Sequence, residues 1–245
     1  MFPTTFHFLS NNSMTKKTIA AFTLIELLVV ITIIAILAGI ALPVFTTVQE
    51  RGSQTKALAQ GKQIGLALKL FASDNDGNFP HGVTSATPPE PDFSASYVLA
   101  NSNIALKQLI PNYVPNEKIF YVQKSQWTPN PPDEVISTDS AKLSVGENHW
   151  AYVPRLTDTS NPNFPLIADG FSTSVGTYAA SQAAKGGVWK GKKAVIIRAD
   201  QSGSVEKLDT TMKALDRIGG ATKEDIFSTS SNSSNWIPVA PVNPL

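Results

Sequence analysis

Glu26 is the only charged side chain in the 27 residues from Phe22 to Val48. An apolar run of that length can cross a bilayer core roughly 30 Å thick. A carboxylate left alone in hydrocarbon is costly, so Glu26 demands a partner. Its chemistry is charge pairing: it is either the slightly polar edge of a plain membrane anchor or a carboxylate waiting for a cation that arrives on assembly. The remaining chemistry-bearing residues are sparse. The chain has no cysteine, which excludes disulfides, thiolate metal sites and a cysteine nucleophile. No Gly-x-Ser-x-Gly elbow presents a serine nucleophile. Of the three histidines, His7 lies ahead of the apolar run, and His81 and His149 read as solvated loop residues with no metal-ligand spacing.

Two further stretches imitate known sites. Gly186 and Gly191-Lys192 have the spacing of a phosphate-binding loop, but Lys193 stands where a Ser or Thr is needed. The segment also precedes a strand rather than a helix, so it reads as a basic turn entering a hairpin. Asp74-Asn75-Asp76-Gly77-Asn78 looks like a calcium loop, yet Phe79 and Ser85 fall where an EF-hand needs Gly and Glu. It reads as a turn that ends a helix.

The elements that position these residues follow in order. Residues 1–21 read as a leader whose only charges are Lys16 and Lys17, with Met14 a candidate true start. Basic residues directly before the span keep the N-terminus in the cytoplasm and export the rest. Residues 22–48 form the transmembrane helix and 49–73 its amphipathic continuation. Ala57, Gly61, Ile64, Leu68 and Phe71 recur on one face, with Lys56, Lys62, Gln63 and Lys69 on others. Residues 22–73 as one helix would measure ~78 Å. Pro43 predicts a kink. Gly39, Gly52, Gly61 and Gly65 either admit a close neighbour or mark weak stretches.

Residues 74–227 form the head. Its expected pieces are a short helix over 97–110 and a strand over 118–123. Further strands are expected over 150–153, 165–168, 192–199 and 204–208, the last two making a hairpin. One or two short helices are expected over 209–227, with Thr222 and Asp225 at capping-box spacing. Residues 228–245, rich in Ser, Asn and Pro, read as a mobile tail. The fold class is α+β: a long N-terminal transmembrane helix continuing into a globular head with a small antiparallel sheet. The formal charge is +1; residues 1–21 hold two lysines and no acid, so the remainder is −1. That balance gives no reason to expect nucleic-acid binding.

Lys16-Lys17-Thr18-Ile19-Ala20-Ala21-Phe22-Thr23-Leu24-Ile25-Glu26 resembles the processing site of type IV prepilins and type II secretion pseudopilins. The resemblance covers about the first fifth of the chain. It implies cleavage between Ala21 and Phe22 by a prepilin peptidase, N-methylation of Phe22, and assembly through Glu26 and Pro43. Ala21 departs from the glycine commonest before the cut. The head segments at 163–171 and 186–208 are similar, more loosely, to those of G-type major pseudopilins. The resemblance implies a structural subunit, not an enzyme. It would be a single-pass inner-membrane precursor with a periplasmic head, assembling into a pseudopilus that drives protein export. Its partners would be copies of itself, other pseudopilins, the prepilin peptidase and the inner-membrane assembly platform. Lack of a cysteine loop favours secretion; the alternatives are a major or tip-located pilin of a surface pilus and an exported enzyme on a pilin-like anchor. G-type pseudopilins commonly bind calcium in a late head loop, for which Asp169, Asp200 and Asp209 are available.

Overall fold

The computed structural model describes residues 22–84, 90–94, 98–215, 224–229 and 240–245. Helix α1 spans Leu24–Asp74, and the chain divides into two compact units at Thr47–Val48. In the first unit the large apolar side chains of α1, from Leu24 at 82% exposure to Phe45 at 60%, are exposed. The chain stays helical through Pro43.

In the second unit α1 is amphipathic and its face is closed. Ala57, Ile64, Leu68, Phe71 and Ala72 are buried, at the helical spacing the sequence shows. Each large one stabilises the unit by about 1.5–3 kcal/mol through removal from water. Gly61 and Gly65 are there for close approach. A Cβ on Gly61 would fall 2.9 Å from Ile197 Cγ1 and 3.0 Å from Trp150 Cη2; one on Gly65 would fall 3.0 Å from Ile197 Cγ2. Gly39 and Gly52 face open space. The helix ends in a Schellman-type turn, Gly77 N–H to Ala72 O at 2.8 Å, with Asp76 at φ 51°. Asp74–Asn78 is therefore a helix stop.

Opposite the helix is a four-stranded antiparallel meander: β3 (Trp150–Tyr152), β4 (Pro165–Asp169), β5 (Lys193–Arg198) and β6 (Gly203–Lys207), in that order. A two-residue pair, β1 (Gly82–Val83) with β2 (Pro91–Asp92), stands apart. All of β4 and the centre of β5 are buried, which explains their unbroken apolar runs. The β5–β6 hairpin pairs Val195 with Val205 and Ile197 with Gly203. The fold is α+β, as the sequence implies.

Several expected elements differ. Residues 118–123 are not a strand: Glu117–Phe120 is a 3-10 turn, with the Asn116 side chain accepting the Lys118 N–H. Val114, Glu117 and Phe120 are buried at intervals of three, the period of that turn rather than the two of a strand. Helix α2 covers only Ser102–Leu106, capped by Asn101, and passes into a 3-10 turn at Lys107–Leu109; Tyr97 lies outside the described residues. Over 209–215 and 224–227 there is no helix among the described residues. The Asp209 carboxylate accepts the Thr211 and Lys213 amides and folds the chain into a turn. Leu208 then bridges Ala214, and Leu215 bridges Asp225; Thr222 lies outside the described residues. In the expected tail, residues 240–245 are docked. Val242 exchanges both backbone hydrogen bonds with Tyr152, at 2.8 and 3.0 Å, and covers the edge of β3. Asn243 fixes the amides of Phe171 and Ser102.

Candidate functional site

The start of α1 rests on Thr23 and Glu26. They form a capping box, in which two helix-end donors are satisfied reciprocally. Glu26 Oε2 accepts the Thr23 N–H at 2.8 Å and the Thr23 Oγ1–H at 2.7 Å. In return Glu26 N–H donates to Thr23 Oγ1 at 3.2 Å. A negative side chain in the first turn also complements the helix dipole. Sequence reasoning reads Glu26 as a charge awaiting a cation and misses this local partner, although Thr-x-x-Glu before an apolar run is its signature. Oε1 carries no hydrogen bond among the described residues. Phe22, one position ahead of the cap, is 74% exposed; Ala21 lies outside the described residues.

The calcium candidates in the head do not converge. Asp200 accepts the Ser202 amide in the β5–β6 loop, and Asp209 holds its own turn. Asp169 is fully buried at the end of β4 with both oxygens engaged. Its Oδ1 lies 2.7 Å from His149 Nε2; its Oδ2 accepts Trp189 Nε1–H at 2.6 Å and Val195 N–H at 2.7 Å. His149 Nδ1 lies 2.7 Å from Ser125 Oγ. His149 is thus a buried side chain, not the solvated loop residue the sequence predicts. With Asp169 ionised, Nε2–H donates to it and Nδ1 accepts from the serine.

Ser125, His149 and Asp169 have the order of an acyl-transfer triad, but their accessibilities are 2%, 0% and 0%. Ser125 Oγ also accepts the Trp127 N–H at 3.1 Å. No substrate carbonyl reaches that oxygen. The chain of bonds is a clamp: it ties β3, β4, β5 and the 125–128 loop through one carboxylate. The turn at 186–191, read from the sequence as a basic turn entering a hairpin, has Val188 and Trp189 buried, the latter through its bond to Asp169. Among the described residues, the one group of three acidic or histidine side chains close enough to share a cation is Glu117, Asp133 and Glu147.

The first half of α1 is the part of the molecule whose chemistry its own chain does not complete. It is the helix among the described residues long and apolar enough to cross a membrane. A capped carboxylate at the head of such a helix suits a membrane anchor. Residues 16–42 match the family described as the prokaryotic N-terminal methylation motif. The type IV major pilin protein PilA of Myxococcus xanthus is 47% identical over 55 residues, 22% of this chain and 25% of that protein. The chain therefore matches about a quarter of the length of that relative. No solved structure matches. The N-terminal segment of the chain thus carries the methylation motif and is similar to the matching part of a type IV major pilin.

Proposed function

We propose that the protein is a structural filament subunit, made as a membrane precursor and assembled through the first half of α1. The observation that carries this is the contrast along one helix. From Leu24 to Val48 the large apolar side chains stand exposed, while from Ala57 onward the matching face is buried. In this reading a prepilin peptidase cuts between Ala21 and Phe22 and methylates the new amine. That amine is a cation at a helix start, and a neighbouring subunit's Glu26 neutralises it. Glu26 keeps its cap through Oε2 and receives the incoming amine on Oε1. Pairing removes much of the cost each charge bears in low dielectric. Leu24, Leu27, Leu28 and Ile34 then pack helix to helix.

The relative named a major pilin favours a pilus subunit. The absence of cysteine favours the second reading, a pseudopilin of a type II secretion system, since many pilins close a C-terminal disulfide loop. In both, the N-terminus is cytoplasmic before assembly, the head faces the periplasm, and the subunit performs no catalysis. Intact mass and N-terminal sequencing of protein from its native membrane test the common core. A mature chain starting at Phe22 with one added methyl is expected. An uncut chain retaining residues 14–21 overturns it.

A further inference from the structure

Glu117, Asp133 and Glu147 come from three separate pieces of the head, and one carboxylate oxygen of each lies within 4.8 Å of the others. Glu117 sits on the 3-10 turn, Asp133 follows Pro131-Pro132, and Glu147 precedes β3. None of the three makes an ion pair among the described residues. The adjacent cation, Lys118, is spent on Glu134 at 2.6 Å. Glu117 is fully buried, and its Oε2 has no hydrogen-bond partner. A buried carboxylate oxygen without a partner in hydrogen-bond geometry is rare, and each such atom calls for an explanation.

The rest of the arrangement is held ready. Glu117 Oε1 accepts the Leu143 N–H at 2.7 Å. Glu147 accepts the Asp133 N–H at 3.0 Å and the Ser144 N–H at 2.6 Å. Asp133 Oδ1 accepts the Val135 N–H at 2.7 Å. The loop carrying these amides is anchored by Asn103 Nδ2–H to Leu143 O at 2.6 Å, and His149 N–H to Phe120 O joins the 3-10 turn to the residues after Glu147. Glu117 and Glu147 are buried while Asp133 is exposed, so the group opens to solvent on one side. Burial raises the Glu117 pKa most; the Leu143 amide lowers it, the Glu147 and Asp133 charges raise it, and the Glu134 amide lowers it. The geometry, not that shift, decides what fits.

We propose that Glu117, Asp133 and Glu147 form a calcium site in the head, with Glu117 Oε2 as the buried ligand and water completing the shell beside Asp133. An all-oxygen, three-carboxylate set selects a hard dication. Carboxylate oxygens that all lie within 4.8 Å of one another can share one calcium ion at its usual ligand distances of about 2.3–2.6 Å. Calcium also tolerates the irregular geometry that three independent loop segments supply. Asp169, Asp200 and Asp209 are not members of the group, and the site does not depend on the filament reading, because it needs a single head.

The test uses the full-length protein in detergent micelles, stripped with chelator and titrated with calcium chloride by calorimetry. One calcium per chain is expected, with a dissociation constant on the order of 0.1–1 mM or tighter, as in extracytoplasmic modules. The melting temperature rises as the site fills. Asp133→Asn keeps the Val135 bond and is expected to weaken calcium binding at least tenfold, with an unchanged melting temperature in calcium-free buffer. Glu117→Gln is expected to abolish binding. No saturable binding up to about 10 mM calcium, unchanged affinity in Asp133→Asn, or equal affinity for magnesium chloride overturns the proposal.

Discussion

The first half of α1 and the head treat their carboxylates in opposite ways. Asp169 lies among apolar side chains and finds every partner inside its own chain: a histidine, an indole and a backbone amide. Glu26 lies among apolar side chains and finds only Thr23, which satisfies one of its two oxygens. The surrounding surfaces follow the same division. Leu24 is 82% exposed, whereas Leu68, on the same helix, is fully buried. A region whose polar and apolar groups are all closed is a folded domain. A region that leaves both kinds open is an interface awaiting lipid or another copy. The lesson is that a carboxylate in an apolar setting is informative through its remaining lone pairs rather than through its position.

The largest expected effect breaks the division at Glu26. Glu26→Ala is expected to abolish filament assembly in cells, scored by sheared-filament yield, while the head unfolds as in the native protein. The buried indoles of Trp127, Trp150 and Trp189 report that unfolding by fluorescence. Filaments at native yield would remove Glu26 from assembly and leave it a helix cap only.

Asp169→Ala breaks the division from the other side. It strips the acceptor from His149 Nε2, Trp189 Nε1 and the Val195 amide at once. Removing one partner from a buried charged network costs about 3–5 kcal/mol. Chemical denaturation of the full-length protein in micelles, followed by tryptophan fluorescence, is expected to show a loss of that size. A loss below about 1 kcal/mol, within the range of an ordinary net hydrogen bond, would mean the clamp is not a clamp.

Two glycines on one helix sharpen the contrast at lower amplitude. Gly52→Ala and Gly61→Ala gain the same helix propensity, about 1 kcal/mol. At Gly52 nothing stands within 4 Å of the new carbon, so the gain is kept. At Gly61 the carbon meets Ile197 and Trp150 at 2.9–3.1 Å. Overpacking of that kind costs about 1–3 kcal/mol. The difference in unfolding free energy between the two variants therefore isolates packing between helix and sheet. Equal effects would place the sheet farther from the helix than the structure has it.

Much of this division is legible in the amino-acid sequence. The apolar run with one acid, the face through Ala57, Gly61, Ile64, Leu68 and Phe71, and the four strands from Trp150 to Lys207 all follow from periodicity and turn residues. What the sequence hides shares one physical cause. Glu117, Asp133 and Glu147, like Ser125, His149 and Asp169, are brought together from positions far apart in the chain, and no local pattern marks such groups. Residues 118–123 mislead because a short apolar run has no period of its own; only the burial of Val114, Glu117 and Phe120 reveals a spacing of three. Glu26 misleads for the opposite reason. Its capping box is local and readable, but a lone acid in an apolar run points first to charge pairing and only then to hydrogen bonding.

The smallest expected effect concerns the one place where the head resembles the anchor. Glu117 Oε2, like Glu26 Oε1, has no hydrogen-bond partner among the described residues. Burial, assisted by the Glu147 and Asp133 charges, raises the Glu117 pKa above its ordinary 4.5 against the smaller pull of two amides. An acid with a raised folded-state pKa holds its proton in the folded state after the unfolded chain has lost it. Its contribution is therefore fully present below about pH 4.5 and is lost as pH rises through the raised value. In calcium-free buffer the unfolding free energy is expected to fall across that window with at most the slope of one proton. Glu117→Gln has no proton to lose there, so its slope should be flatter than that of the native head. Saturating calcium should flatten the native slope too, since the cation replaces the proton. A native slope unchanged by both would show that Glu117 is solvated in solution, and the head would then have no open carboxylate to set beside Glu26.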